Sequence, residues 1–577
     1  MRPFFFFLIF IISYILHSSS NNYLTKVDFF CRTCNKSFDS IRNFFLKGYF
    51  RNLSYKFFTQ LCRIKLREDV CYSAIIRYGP IFYDNLEKKI FDKKYICPYL
   101  RLCRDENKYI TIEKYKEKIF QNYPKKSEKE IKRINVSNGK IIKALQVTDI
   151  HLDLNYKEGT VVNCGTPLCC HDYPNNTKLN LYNNKKKKEK VKYNLSGKYG
   201  AYGSCDSSIE LIKSFAKKIK ELNIDFIMFT GDNIAHFVWG DEQEDVYKAT
   251  KKIINIIQEE IGLNIPIYPC LGNHEIVPVD EYISHKHKYF LNNMTEIFKI
   301  YLNEEAQKTF RENGYYSLLF NNSNLRIISL NCLPCDSMNF YLFFNHSDAK
   351  KMFNWLEETL YLSEKNNEII YIMDHIPLIN AQHTEQCAKR LHILFSRYQN
   401  IIKGYFSGHT HREQISLIYD IFNRSKPILI NYISSELSTY GNLNPSFRYY
   451  EIDYETKFIK DFIQYRFDLE KSNFYKKDFW YISYKGSELF NVSDLSDLEG
   501  INKYEINYDF LVKKYTDSKY YDKLNTNKDY LLRRAKCFFR NDIQSEFNKC
   551  IKVGISIENE YVYPIFNKVM GLWREDE

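Results

Sequence analysis

Glycine is scarce in this chain, at 20 of 577 residues, and alanine is thin as well. Lysine, asparagine, isoleucine, tyrosine and phenylalanine fill the gap, a bias that reads as the imprint of an AT-rich coding sequence. Isolated runs of Lys or Asn therefore carry little functional meaning. Past the N-terminus no apolar stretch approaches the about 18 residues that a membrane-spanning helix needs. Nor is either charge sign missing: 83 basic residues are interleaved with 70 acidic ones, for a net charge of +13. A solvated mixed surface is expected from that balance, with no nucleic-acid partner, although attraction to anionic lipid headgroups is compatible with it. An apolar content of 44% is ordinary, so the chain is globular and not disordered. Its length calls for two or three domains.

The N-terminus runs Met1-Arg2-Pro3, then an apolar stretch from Phe4 to about Leu16, then His17-Ser18-Ser19-Ser20. A basic start, a short apolar core and a small-residue exit describe a secretory signal peptide over 1–20. The mature chain is then expected to be soluble, on the luminal or outer side of a membrane. Sixteen cysteines fit that oxidising route. Asn52, Asn194, Asn345 and Asn491 begin N-x-S/T sequons, a weak sign of glycosylation in so Asn-rich a chain.

Cys31, Cys34, Cys62, Cys71, Cys97 and Cys103 crowd the region after this leader. No histidine accompanies them at ligand spacing, which argues against zinc. Gly and Pro are almost absent from residues 32 to 79, and Phe38, Ile41 and Phe45 repeat at helical spacing. Spacing alone does not choose the pairing. The C-x2-C, mid-region pair and C-x5-C order resembles a saposin domain, expected over 27–107. That resemblance implies Cys31–Cys103, Cys34–Cys97 and Cys62–Cys71, in an all-α module that turns an apolar face toward lipid. Residues 108–140 are charged and read as a linker with one amphipathic helix.

From Ile141 to about Tyr454 short β-branched runs recur: Ile141–Val147, Asp225–Phe229, Ile265–Tyr268, Leu325–Leu330, Ile369–Met373 and Ile401–Phe406. Helix-like stretches such as Ser207–Leu222 and Asp241–Ile261 separate several of them, the alternation of an α/β core. At or near the ends of these runs stand Asp149-Ile150-His151, Gly231-Asp232-Asn233, Gly272-Asn273-His274-Glu275, Asp374-His375 and Gly408-His409-Thr410-His411. Strand C-termini in such folds converge on one edge, where sites are built. Carboxylates, one amide oxygen and several imidazoles suit a pair of borderline divalent ions. Two such ions neutralise a phosphodiester and lower the pKa of an attacking water. Asp232 is expected to lie between them. His274, beside Asn273, is the expected general acid, and His236 a second catalytic candidate contacting phosphate or leaving group. His171, His285, His287, His346, His383 and His392 are expected to be structural or exposed.

This motif series resembles the calcineurin-like metallophosphoesterases, and within them the acid sphingomyelinase branch. Val162–Cys170 (VNCGTPLCC), Thr230–Trp239 (TGDNIAHFVW), Tyr268–Glu275 (YPCLGNHE) and Asn444–Arg448 (NPSFR) carry the likeness. It implies two zinc ions, one held by Asp149, His151, Asp232 and His411, the other by Asp232, Asn273, His375 and His409. It also implies Cys164–Cys169, Cys170–Cys205, Cys335–Cys387 and Cys537–Cys550, leaving Cys270 and Cys332 to pair together or stay as buried thiols. The implied fold is a two-sheet sandwich flanked by helices over 141–455, followed by a mostly helical C-terminal region over 456–577. The implied reaction is hydrolysis of sphingomyelin to ceramide and phosphocholine, outside the cell or in a lysosome-like acidic compartment. The enzyme is expected to be a monomer touching the membrane through its saposin module. Alternatives are nucleotides, lysophospholipids or other soluble phosphodiesters, or a catalytically dead lipid-binding protein, which the complete ligand set argues against. A basic insertion, Asn183–Lys192, is expected to be solvated.

Overall fold

In the computed structural model, the residues described are 31–39, 48–89, 97, 103, 111–124, 139–172, 195–321, 323–343, 345–505, 528–542 and 544–552. The expected signal peptide, Ile41, Phe45 and the Asn183–Lys192 insertion lie outside them. The chain divides into two compact units. One comprises residues up to Phe58 together with Gly79–Lys108, and the other Thr59–Tyr78 together with residues from Tyr109 onward.

The cysteine-rich region is helical, with helices Gly48–Cys62 and Glu68–Lys89. Cys31–Cys103, Cys34–Cys97 and Cys62–Cys71 are bonded. Cys164–Cys169, Cys170–Cys205, Cys335–Cys387 and Cys537–Cys550 are bonded too. Cys270 and Cys332 remain buried free thiols. Cys270 donates toward the Leu330 carbonyl and Cys332 toward the Leu271 carbonyl, in place of a mutual bond. Within the expected linker, Ile112–Asn122 is the one amphipathic helix among the described residues, burying Tyr115 and Ile119.

The large unit is built on two six-stranded mixed sheets. The first contains β1 (Ile141–Val147), β2 (Phe226–Phe229), β3 (Ile267–Pro269), β10 (Ser446–Asp453), β11 (Ile459–Phe467) and β12 (Trp480–Lys485), in the order β12-β11-β10-β1-β2-β3. The second contains β4 (Tyr316–Leu319), β5 (Leu325–Ser329), β6 (Ile369–Met373), β7 (Ile402–Ser407), β8 (Gln414–Tyr419) and β9 (Pro427–Ile433), in the order β4-β5-β6-β7-β9-β8. Ala144, Met228 and Tyr450 of the first sheet share one core with Ile327, Met373 and Tyr432 of the second, so the sheets pack face to face. Helices cover both outer faces. Central strands are therefore buried on both sides, which is why β6, Ile-Ile-Tyr-Ile-Met, has no polar alternation.

The helices are cut from the sequence by local chemistry. Ser208 accepts a hydrogen bond from Leu211 N to start Ile209–Leu222, and Asn223 ends it in the left-handed region (φ 48°). Between them Leu211, Ile212, Phe215, Ala216 and Ile219 line one buried face.

β11 and β12 lie beyond residue 455 and complete the first sheet before the chain turns helical. The polar residues Lys460, Asp461, Gln464 and Arg466 hide the strand pattern of β11; two of them, Gln464 and Arg466, are themselves buried. Helices Leu498–Lys503, Lys528–Phe539 and Gln544–Lys552 follow, so the chain does turn helical toward its end.

Phe447 of β10 has no exposed surface and packs its ring against Phe215, Tyr465 and Trp480, with centroids 5.3, 5.0 and 5.1 Å away. Phe447→Ala is expected to cost about 3–5 kcal/mol, measured as a lowered thermal midpoint by circular dichroism.

Candidate active site

β1, β2, β3, β6 and β7 are mutually parallel within their sheets where they adjoin, and the motif residues follow their C-terminal ends. Close approach of the loops is set by glycine. A Cβ on Gly231 (φ 93°) would lie 2.5 Å from Gly272 N, and one on Gly408 would lie 2.0 Å from Thr148 Oγ1. The loops after β2 and β3, and those after β7 and β1, can thus touch.

Asp149, His151, Asp232 and His411 bring four candidate ligand atoms within 4.8 Å of one another, and Asp232, His375 and His409 form a second such group. Asp232 belongs to both. His409 Nδ1 lies 3.0 Å from Asn273 Oδ1, which adds the amide oxygen to the second group. His236 forms a further group with His151 and His411, placing it at the same centre. The His274 ring lies 5.0 Å from those of His151 and His236, and its Nδ1 is buried without a protein partner.

Second contacts fix which nitrogen faces inward. His151 Nδ1 lies 2.8 Å from the Ile234 carbonyl and His375 Nδ1 lies 2.7 Å from the Thr230 carbonyl. A carbonyl only accepts, so both Nδ1 atoms carry a proton and both Nε2 atoms face the centre. Burial first, then neighbouring imidazoles, holds His151 and His409 well below the usual range, so their rings are neutral. Burial pushes Asp149 up, whereas Asp232 is held well below its ordinary range because His375 and His274 outweigh its burial. His375 is pushed up to about 10 by Asp232 despite its own burial. Two carboxylates this deeply buried demand positive counter-charge, and with imidazole nitrogens and an amide oxygen around them the set fits divalent cations.

Backbone geometry here is unusual. Asp149, His151, Asp232, His409 and His411 all have positive φ, between 45° and 68°.

Several residues with no role in the sequence reading hold this centre together. Glu275 accepts from the backbone N–H of Gly272, Asp232 and Asn233 at 2.5, 2.9 and 2.7 Å. Glu436, with no exposed surface, lies 2.6 Å from His411 Nδ1 and leaves Nε2 to face Asp149 at 3.4 Å. Asp206, equally buried, lies 3.0 Å from His236 Nδ1 and accepts from His236 N and Ser438 Oγ. Asp280 accepts from Asn273 Nδ2 at 2.9 Å, aiming the amide oxygen at His409. Glu436 follows β9 as the motifs follow their strands, so the strand-end rule was the available signal. Asp206 and Asp280 sit in loops and gave none.

The family profile described as calcineurin-like phosphoesterase matches residues 142–413. Sphingomyelin phosphodiesterase A of Dictyostelium discoideum is 29% identical over 498 residues, covering 81% of this chain and 80% of that protein. Sphingomyelin phosphodiesterase 1 of Caenorhabditis elegans is 31% identical, over 64% of this chain and 65% of that protein. The human cyclic GMP-AMP phosphodiesterase SMPDL3A is 30% identical, over 51% of this chain and 68% of its own length. The chain belongs to the calcineurin-like phosphoesterases.

In this phosphoesterase Asp280 and Asp336 face each other, bridged by Gln382 Nε2 at 3.0 Å to each. Burial pushes Asp280 up to about 6 and Asp336 well above the carboxylate range. A carboxyl whose folded pKa is raised keeps its proton in the native state. It contributes stability fully below its ordinary value of 3.8, and that stability is lost as pH rises through about 6. Thermal midpoints should therefore fall across this window, and Asp336→Asn should flatten the fall.

A carboxylate behind a ligating imidazole fixes its tautomer and strengthens it. Glu436→Ala is accordingly expected to weaken metal affinity about 10–100-fold, read by chelator competition, with Glu436→Gln falling between it and the native protein.

Proposed function

We propose that this chain is a di-zinc phosphodiesterase that hydrolyses sphingomyelin to ceramide and phosphocholine. The observation that carries the proposal is the pair of ligand groups sharing Asp232, set in a chain that matches a sphingomyelin phosphodiesterase over four-fifths of both lengths. Asp149, His151, Asp232 and His411 would hold one ion, and Asp232, Asn273, His375 and His409 the other. When bound, the ions supply charge neutralisation for the diester and acidify the attacking water.

The remaining chemistry belongs to side chains. His274 is assigned the proton for the departing ceramide oxygen, its unpartnered Nδ1 being free of any protein acceptor. Burial and the rings of His236 and His411 push it down to about 4, so its charged form gains as pH falls or as an anionic diester arrives. His236, oriented through Nδ1 by Asp206, presents Nε2 to the phosphate or leaving oxygen. Its ring is stacked between His151 and Tyr440, at 3.9 and 4.2 Å, which holds that orientation.

The remaining parts of the reading are a saposin-like N-terminal module that touches the bilayer, a monomeric state, and residence outside the cell or in an acidic compartment. Seven disulfides support folding in an oxidising compartment. A second reading, a soluble nucleotide phosphodiester as substrate, is favoured by the identity to the cyclic GMP-AMP phosphodiesterase.

Purified protein should contain two zinc equivalents and release phosphocholine from labelled sphingomyelin, and Asp232→Asn should do neither. Zinc-loaded protein that cleaves cyclic GMP-AMP and leaves sphingomyelin intact would replace the first reading with the second. His274→Ala should slow sphingomyelin hydrolysis by about 10²–10⁴-fold. On a nitrophenyl phosphodiester, whose leaving group needs no proton, the loss should be far smaller.

A further inference from the structure

We infer that the tip formed by helix Leu469–Tyr475 and the turn after it docks on a phospholipid bilayer bearing anionic headgroups, as a contact built into the large unit itself. Two aromatic side chains stand out there, Phe474 at 79% exposure and Tyr475 at 57%. They contact each other at 4.8 Å, and Tyr475 reaches Phe479 at 5.8 Å. Lys471, Lys476 and Lys477, all exposed, surround them.

The exposure is not a property of a loose end. Leu469 and Ser472 of the same helix are fully packed, Asp468 caps it through Lys471 N, and Phe479 N donates to Ser472 Oγ. Lys476 turns the chain with φ 55°, which leaves the two rings at the apex. Single exposed apolar residues are ordinary on protein surfaces. A rigid aromatic pair ringed by lysines is different, because rings partition into the headgroup boundary while ammonium groups meet lipid phosphates.

Position supports the lipid as occupant. β1 and β10 are antiparallel, as are β10 and β11, so β11 runs with β1. The tip follows the C-terminal end of β11 and therefore stands on the edge where β1 delivers Asp149 and His151. It is tied to the site wall as well. Asn473 bonds Tyr199 N and the Gly200 carbonyl, the Thr439 side chain abuts Gly200, and the neighbouring Tyr440 stacks on His236. Leu195, 58% exposed, lies two residues before Gly197, which also abuts Asn473. Charge matches the same partner: Lys198, Lys213 and Lys217 line a surface hollow with Lys476 and Lys477, five lysines against Glu210, Asp478 and the Glu158 that pairs with Lys476. A bilayer contacting this tip would present its headgroups to the catalytic edge.

The inference rests on the lipid-phosphodiester reading for its purpose, but its test does not. Full-length protein is sedimented with phosphatidylcholine vesicles, with and without phosphatidylserine. Phe474→Ala/Tyr475→Ala should weaken binding to both vesicle types about tenfold or more, as expected for lost interfacial burial. Lys476→Glu/Lys477→Glu should weaken binding to the serine-lipid vesicles by at least about fivefold per lysine and spare the neutral ones. Both variants should cleave a soluble nitrophenyl phosphodiester at the native rate. Hydrogen exchange of the native protein should slow over 469–479 when vesicles are added. Native vesicle affinity in both variants, or unprotected exchange there, would overturn the docking surface. Vesicle binding that follows these expectations without sphingomyelin cleavage would instead count against the choice of substrate alone.

Discussion

One buried carboxylate organises the catalytic edge. Glu275 takes three backbone N–H groups, one before Asn273 and two at Asp232 and Asn233, and so ties the loop after β2 to the loop after β3. Asp232 is the residue common to both ligand groups, and Asn273 belongs to the second. Asn273–Glu275 form a single 3-10 turn, so the clamping carboxylate and the Asn273 amide are presented by the same short element. Burial and the nearby Asp232 push Glu275 up to about 7, against the three donors, so the clamp is held under electrostatic opposition. Such an arrangement persists because buried N–H groups left without an acceptor would cost more.

The second sheet joins the first through similar buried polar links. Gln146 of β1 donates to the Ser407 carbonyl at the end of β7, and Tyr450 of β10 donates to Gln146. Glu413, just past the loop carrying His409 and His411, forms an ion pair with the fully buried Arg466 of β11. The imidazoles from the second sheet are thereby registered against the carboxylates from the first. A purely apolar interface between the sheets would fix their separation without fixing this register.

How much of this the sequence revealed depends on distance along the chain. The six β-branched runs from Ile141 to Phe406 are local patterns, and each corresponds to a strand of the two sheets. β11 escaped because its polar residues, the buried Gln464 and Arg466 among them, break the apolar pattern. The ligand types were legible because Asp, Asn and His at strand ends have few other uses in such numbers. Asp206 was not, since a lone carboxylate in a loop acquires meaning only when the fold sets an imidazole beside it. The cysteine pairs became legible through resemblance, not spacing, and the two free thiols only through packing.

The positive φ values at Asp149, His151, Asp232, His409 and His411 have a consequence for how such a molecule ages under mutation. A side chain in that region costs on the order of 1 kcal/mol against glycine, which adopts it freely. Replacing any of the five by glycine would relax the backbone while deleting a donor. Selection for robustness alone would therefore erode this edge first, and the chemistry endures only while it is itself selected.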